Sequence, residues 1–142
     1  MLIDTRSTFA WEEAVDGGAG TVKLGEVMDL EVEANQGEGY PLYLVVVVST
    51  AVAGGTSIAV NLVTADNAAL SSGEETLLST PAVAVADLTA GAQVIAVALP
   101  KADFKRYLGI TITRVGTVTA GALSAFLVQD PPAWRAYPEG NN

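Results

Sequence analysis

The chain has 142 residues, 7 of them basic and 16 acidic, with no histidine and no cysteine, so its net charge is −9. That length suits a single domain burying about 70% of the surface an unfolded chain exposes. A half-hydrophobic composition with 16% charged residues is enough to offset the entropy of ordering. The missing cysteine and histidine exclude disulfide scaffolds, thiolate metal sites, cysteine nucleophiles and the usual imidazole base or ligand. An isoelectric point near 4.2 disfavours phosphate backbones, which bind through lysine and arginine, so no nucleic-acid partner is expected.

Residues 1–11 include Asp4, Arg6, Ser7 and Thr8 and lack the apolar segment of a signal peptide. The longest aliphatic and aromatic run, residues 42–48, is far shorter than the roughly 20 residues of a spanning helix. No membrane partner is expected, and nothing in the cysteine usage points to an oxidising compartment. The 18 valines, 5 isoleucines and 13 threonines favour strands over helices.

In chain order, residues 1–20 read as a polar N-terminal arm carrying Phe9 and Trp11. Residues 26–33 alternate Met28, Leu30 and Val32 with Asp29, Glu31 and Glu33, the pattern of a strand with one buried and one acidic face. Residues 42–49 are an uninterrupted apolar run, as for a strand covered on both sides. Residues 57–64 place Ile58, Val60 and Leu62 on one face. A short strand over 76–79 stops at Pro81, and 93–99 turns Ile95, Val97 and Leu99 inward before Pro100. Residues 107–114 repeat the pattern with Leu108, Ile110 and Ile112, and 122–128 again suggest two covered faces. Residues 65–70 and 101–104 are each long enough for one helical turn only. The tail, residues 129–142, is proline-rich and carries Trp134, Arg135 and Tyr137. Breaks rich in glycine at 17–20, 35–39, 54–55, 71–73 and 116–121 separate the strands. Seven or eight short strands at even spacing imply a sandwich or barrel.

Candidate chemistry is sparse. Glu12–Glu13 and Glu74–Glu75 are adjacent carboxylates, which a strand sends to opposite faces. Asp29, Glu31 and Glu33 share a face, but a straight strand spreads them too far apart for the curved oxygen shell of calcium, so a solvated face is the plainer reading. No Gly-x-Ser-x-Gly elbow is present, and the glycines at 17–20 lack the Gly-Lys-Ser/Thr ending of a phosphate loop. No enzyme activity and no cofactor are expected. The aromatics of the two ends have two readings: folding back onto the chain's own sandwich, or docking on a neighbouring subunit, where Trp and Tyr commonly anchor interfaces. Lys101, Lys105, Arg106 and Arg114 likewise either relieve local acidic repulsion or form a docking patch for an acidic surface.

Several segments taken together carry a resemblance: residues 40–45 (YPLYLV), 78–81 (LSTP), 85–92 (VADLTAGA), 99–100 (LP), 105–108 (KRYL) and 115–121 (VGTVTAG). In this order and spacing the chain resembles the capsid cement, or decoration, proteins of tailed bacteriophages, of the kind found on a Bordetella podophage. The resemblance covers about residues 40–128 and departs at 9–15, 71–75 and after 129. It implies a jelly roll; with the strands and ends read above, the expectation is an all-β, single-domain jelly-roll sandwich of about eight antiparallel strands over residues 1–142, with extended arms at both ends. It further implies a virion structural protein on the outer capsid surface, made in the host bacterial cytoplasm, which bridges major capsid protein subunits and stabilises the expanded head. The expected partners are the major capsid protein and a further copy or copies of the chain, as homodimer or homotrimer. The resemblance carries over no contact residues; because aromatics outside the expected strands have no evident core to enter, the sequence itself makes Phe9, Trp11, Lys105, Arg106, Trp134, Arg135 and Tyr137 the expected contact residues. The rival reading is a carbohydrate-binding jelly-roll module using Tyr40, Tyr43 and Tyr107 as a stacking platform.

Overall fold

The structure, a computed structural model, describes residues 8–31, 34–36, 42–99 and 102–128. Among these residues eleven strands follow one another: β1 (Thr8–Ala14), β2 (Gly20–Asp29), β3 (Ala34–Gln36), β4 (Tyr43–Gly54), β5 (Ser57–Ala65), β6 (Glu75–Ser79), β7 (Val83–Ala84), β8 (Gln93–Ala98), β9 (Ala102–Phe104), β10 (Tyr107–Val115) and β11 (Val118–Val128). A 3₁₀ turn, Val85–Asp87, joins β7 to the segment leading into β8.

Two four-stranded layers hold the eight longer strands, in the orders β1-β11-β4-β8 and β2-β10-β5-β6, and every pairing is antiparallel. Among these eight, the first pairs with the last, the second with the seventh, the third with the sixth and the fourth with the fifth. That nesting, a long hairpin rolled so that successive pairs alternate between two sheets, is the jelly roll. The short β7 adds to β5, and β3 and β9 form a separate two-stranded ribbon.

Alternation in the sequence decides which side chains enter the space between the sheets. Leu44, Val46 and Val48 of β4 face it with Leu123, Ala125 and Leu127 of β11; Ile58, Val60 and Leu62 of β5 meet it from the other sheet with Leu108, Ile110 and Ile112 of β10. Removing each of these valine, leucine and isoleucine side chains from water contributes about 1.5–3 kcal/mol. Residues of opposite parity on β4 and β11 form a second cluster on the outer face of the first sheet, where Val45 and Phe126 sit opposite each other in register and are buried together with Val128. The apolar runs at 42–49 and 122–128 therefore belong to strands covered on both sides, as their lack of polar alternation implies.

Several expectations need correction. Residues 8–14 of the expected N-terminal arm are a sheet strand, β1, hydrogen-bonded to β11. The strand expected over 26–33 runs instead over Gly20–Asp29: beyond Asp29 the chain turns, Glu31 takes a positive φ of 67°, and its N–H donates to Asp29 Oδ1 at 2.8 Å. Val32 and Glu33 lie outside the described residues. Neither expected helical turn forms. At 65–70 the chain leaves β5 into a turn in which Asn67 Oδ1 accepts from the N–H groups of Ser71 and Ser72, and Ala102–Phe104 pairs with β3 as a strand. A single helical turn has too few internal bonds to compete with side-chain and ladder partners.

Ile110 has no exposed surface and sits among core side chains from both sheets. Ile110→Ala is expected to lower unfolding free energy by about 2–5 kcal/mol in urea titrations. Val115→Thr, at a half-exposed site, is expected to change it by no more than about 0.5 kcal/mol.

Candidate functional site

On one side of the sandwich the edge strand of each sheet, β1 and β2, run close to one another. Register along β1 breaks twice, between Thr8 and Ala10 and between Ala10 and Glu13, and Glu12 takes a positive φ of 51°. Such a conformation costs a non-glycine residue about 1–3 kcal/mol and persists only when neighbours hold it. Here the Glu12 N–H donates to Ser124 Oγ at 2.9 Å, and that hydroxyl also shares a 2.7 Å hydrogen bond with Ser49 Oγ. The bulge separates two aromatics that strict alternation would place on one face. Phe9 is buried at 2% exposure, and Trp11 stands out at 60%.

Beneath Trp11 lies a groove of about 560 Å³, lined by Phe9, Ala10, Trp11 and Glu13 of β1 and by Gly25 and Glu26 of β2. Gly25 makes this close approach possible: with φ of 67° it bulges β2, and a Cβ at this position would collide with the Phe9 carbonyl oxygen. The β1–β2 connection is fixed from below by Arg114, whose Nη1 donates to the carbonyls of Val15 at 3.0 Å and Asp16 at 2.6 Å. The groove is thus framed by anchored backbone, with a large exposed indole on its rim and Glu13 and Glu26 beside it. Among the described residues, no ion pair engages Glu12, Glu13, Asp16 or Glu26.

Of the cations offered as a docking patch, the described ones, Lys105, Arg106 and Arg114, each have partners within the chain. Lys105 Nζ donates to the Gly73 carbonyl and lies 3.8 Å from Asp66 Oδ2 and 3.7 Å from Glu75 Oε1, clasping the 66–75 loop. Leu70 of that loop covers Gly109, where any Cβ would strike it. Arg106 grips Asp29 with two bonds, Nε to Oδ1 at 2.8 Å and Nη2 to Oδ2 at 2.9 Å, and its guanidinium lies 5.2 Å over the Tyr107 ring. The Arg106 hydrogen bonds, helped by the Glu31 N–H, hold the Asp29 carboxyl down at about 2 from an ordinary 3.8, and Arg106 is correspondingly pushed up. Asp29 therefore serves as the anchor of a guanidinium joining the end of β2 to the start of β10.

Of the seven residues expected at an interface, Phe9 is corrected to a core residue, because β1 brings it between the sheets. Trp11 is the exposed aromatic, and Lys105 and Arg106 are held by their own carboxylates. Trp134, Arg135 and Tyr137, with the whole tail 129–142, lie outside the described residues, as do Lys101 and Tyr40. Tyr43 belongs to the outer face of the first sheet and Tyr107 to the second, so these two rings do not make one stacking platform. Sequence reasoning noted Glu13 only as one of two adjacent carboxylates, and it missed Gly25, Glu26 and Ser124. A glycine beside a strand pattern was the available signal for Gly25; Glu26 and Ser124 carry no local mark of their place.

The arrangement offers shaped contact area, one aromatic rim and two carboxylates. The family model Bbp16 matches residues 13–127, from the end of β1 to the penultimate residue of β11. Phe9 and Trp11 precede the matched stretch. No curated protein matches the chain.

The Asp29–Arg106 pair predicts a pH dependence. A carboxyl whose folded pKa is depressed contributes stability that is fully present above its unfolded value, about 3.9, and is lost as pH falls through about 2. In urea titrations at a series of pH values, the wild type is expected to exceed Asp29→Asn at neutral pH. The margin should shrink between about pH 4 and pH 2. Both partners are exposed, so high salt should reduce the margin as well.

Proposed function

The chain belongs to the Bbp16 family, whose name derives from a Bordetella phage, and on that premise we propose that it is a virion structural protein decorating the outer surface of a phage capsid. In this role it stabilises the expanded head by bridging neighbouring major capsid protein subunits, acts without catalysis or cofactor, and associates with itself as a homodimer or homotrimer. It is made in the host cytoplasm and ends on the particle.

The observation that carries the reading is the family match over residues 13–127 on a jelly roll whose loops and edges are braced by internal bonds. A bracing protein must transmit force between the subunits it touches without deforming. Here the ends of β2 and β10 are tied by Arg106, the β1–β2 turn by Arg114 and the 66–75 loop by Lys105. The net charge of −9 also disfavours adhesion to nucleic-acid phosphates during assembly.

The mechanism is linkage. A protein that binds the expanded shell and not the ruptured one stabilises the former by RT ln(1 + [L]/Kd), about 2.7 kcal/mol per site at a hundredfold excess over Kd. A shell has many sites, so modest contacts accumulate. A copy touching two or three subunits makes its later contacts intramolecularly, at an effective concentration that can reach the millimolar range. The same differential binding favours expanded over unexpanded shells, because only a ligand that distinguishes two states shifts their balance.

The test adds purified protein to DNA-filled capsids that lack it, with occupancy read by quantitative gel and DNA retention followed on heating. Saturable occupancy and a higher rupture temperature are expected, with weaker binding to unexpanded shells. Equal binding to both shells, or saturation without any gain in heat resistance, would refute the bridging role. Deletion of residues 131–142 is expected to lower occupancy; unchanged occupancy and heat resistance would remove the tail from the mechanism.

A further inference from the structure

The groove at the β1–β2 edge combines three features with separate structural causes. Trp11 is held outward by the Glu12 bulge, which Ser124 stabilises. Among the described residues, the first sheet has no further strand paired beyond β1. Glu13 and Glu26 line the same groove without an ion pair to any described residue, while Lys105 and Arg106 spend their charge on Asp66, Glu75 and Asp29. Arg114 points to the carbonyls of Val15 and Asp16 on the inner side of the turn.

From this we infer that the groove receives an extended arginine- or lysine-bearing segment of a partner protein, its cation lying on the Trp11 indole between Glu13 and Glu26. An indole face attracts a guanidinium or ammonium ion, most strongly where neighbouring groups exclude water, and carboxylates on either side add charge-assisted hydrogen bonds. Arginine suits the site best, since its flat guanidinium stacks and donates in plane at once. The groove's volume lies within the range of about 300–1,000 Å³ typical of pockets that enclose a small ligand, and here that range accommodates one long cationic side chain with its flanking backbone. The two groove carboxylates, neither in an ion pair with a described residue, also steer a basic segment towards the rim before contact. A second copy of this acidic chain would bring like charge to the same rim and is disfavoured there.

This inference rests on the capsid-decoration reading only for where the partner is found. The chemistry of the groove can be tested without a shell, so failure of either experiment leaves the other interpretable. The chain has two tryptophans, and Trp134→Phe leaves Trp11 as the sole reporter. The probes are two amidated eight-residue peptides, one alternating arginine with threonine and one alternating glutamate with threonine, titrated into the full chain.

The arginine peptide is expected to change Trp11 emission saturably and the glutamate peptide to leave it unchanged. Glu13→Gln combined with Glu26→Gln should weaken binding at least tenfold. Glu74→Gln combined with Asp87→Asn, which removes two exposed charges away from the groove, should change it less than twofold. Trp11→Ala, at an exposed site, should retain the wild-type circular dichroism spectrum and lose most binding of a fluorescently labelled arginine peptide. Equal weakening by the two charge-removing pairs would reduce the effect to net charge and overturn the proposal. So would undiminished binding by Trp11→Ala, binding of both peptides alike, or binding of neither. A solution mass that doubles in the wild type and reverts in the Glu13/Glu26 variant would name a second copy as the occupant and likewise overturn it.

Discussion

Everything in this molecule depends on one aliphatic layer held between two sheets. Val46 and Leu123 on one side and Leu62 and Ile110 on the other have at most 1% of their surface exposed, and their strands are the inner pairs of the two four-stranded orders. Dense packing of this kind leaves little room for one sheet to slide over the other, because a one-residue shift of any central strand would bring its buried side chains to the wrong face. The rigidity of the edges is inherited from that centre. Ser124 can stabilise the strained Glu12 because β11 is fixed by Leu123 and Ala125, its neighbours in sequence that point the other way.

Several surface irregularities are each paired with a group that fixes them. Arg114 holds the turn between β1 and β2, Thr64 Oγ1 accepts from the Lys105 N–H at 2.8 Å and donates to the Tyr107 carbonyl at 3.0 Å, and Asp29 receives both Arg106 and the Glu31 N–H. Across the outer face of the second sheet, Thr21 and Thr113 share a hydrogen bond of 2.8 Å, and Asn61 Nδ2 donates to Thr111 and Thr113. Polar side chains on this face satisfy one another across neighbouring strands, which adds lateral stiffness without adding charge.

Strands whose apolar residues keep strict alternation were legible in the sequence. Ile58–Val60–Leu62 and Leu108–Ile110–Ile112 announce both their conformation and their buried face, and the unbroken apolar runs announce double coverage. Composition and spacing reach as far as a sandwich or barrel; the jelly-roll order came from the resemblance, because strand pairing between residues such as Thr8 and Phe126 leaves no local trace. β1 was illegible for a definite reason. Its two register breaks destroy the period-2 signal, so a seven-residue strand read as an arm and Phe9 and Trp11 looked equivalent. The basic residues were conspicuous as a cluster, but which carboxylate each one meets is decided by long-range contacts such as Asp29 to Arg106.

Because the opening strand of the first sheet lies against its closing one, with residue 8 opposite residue 126, that layer cannot be completed until the chain has extended past residue 126. Contacts so distant along the chain exact their loop-closure entropy before they return any burial, so acquisition of the native state should be slow, with unpaired edges exposed to association during synthesis. Pulling the terminal strands apart would have to break a whole ladder with its bulges at once, so a folded copy under tension resists by the slowness of its rupture as much as by its equilibrium stability.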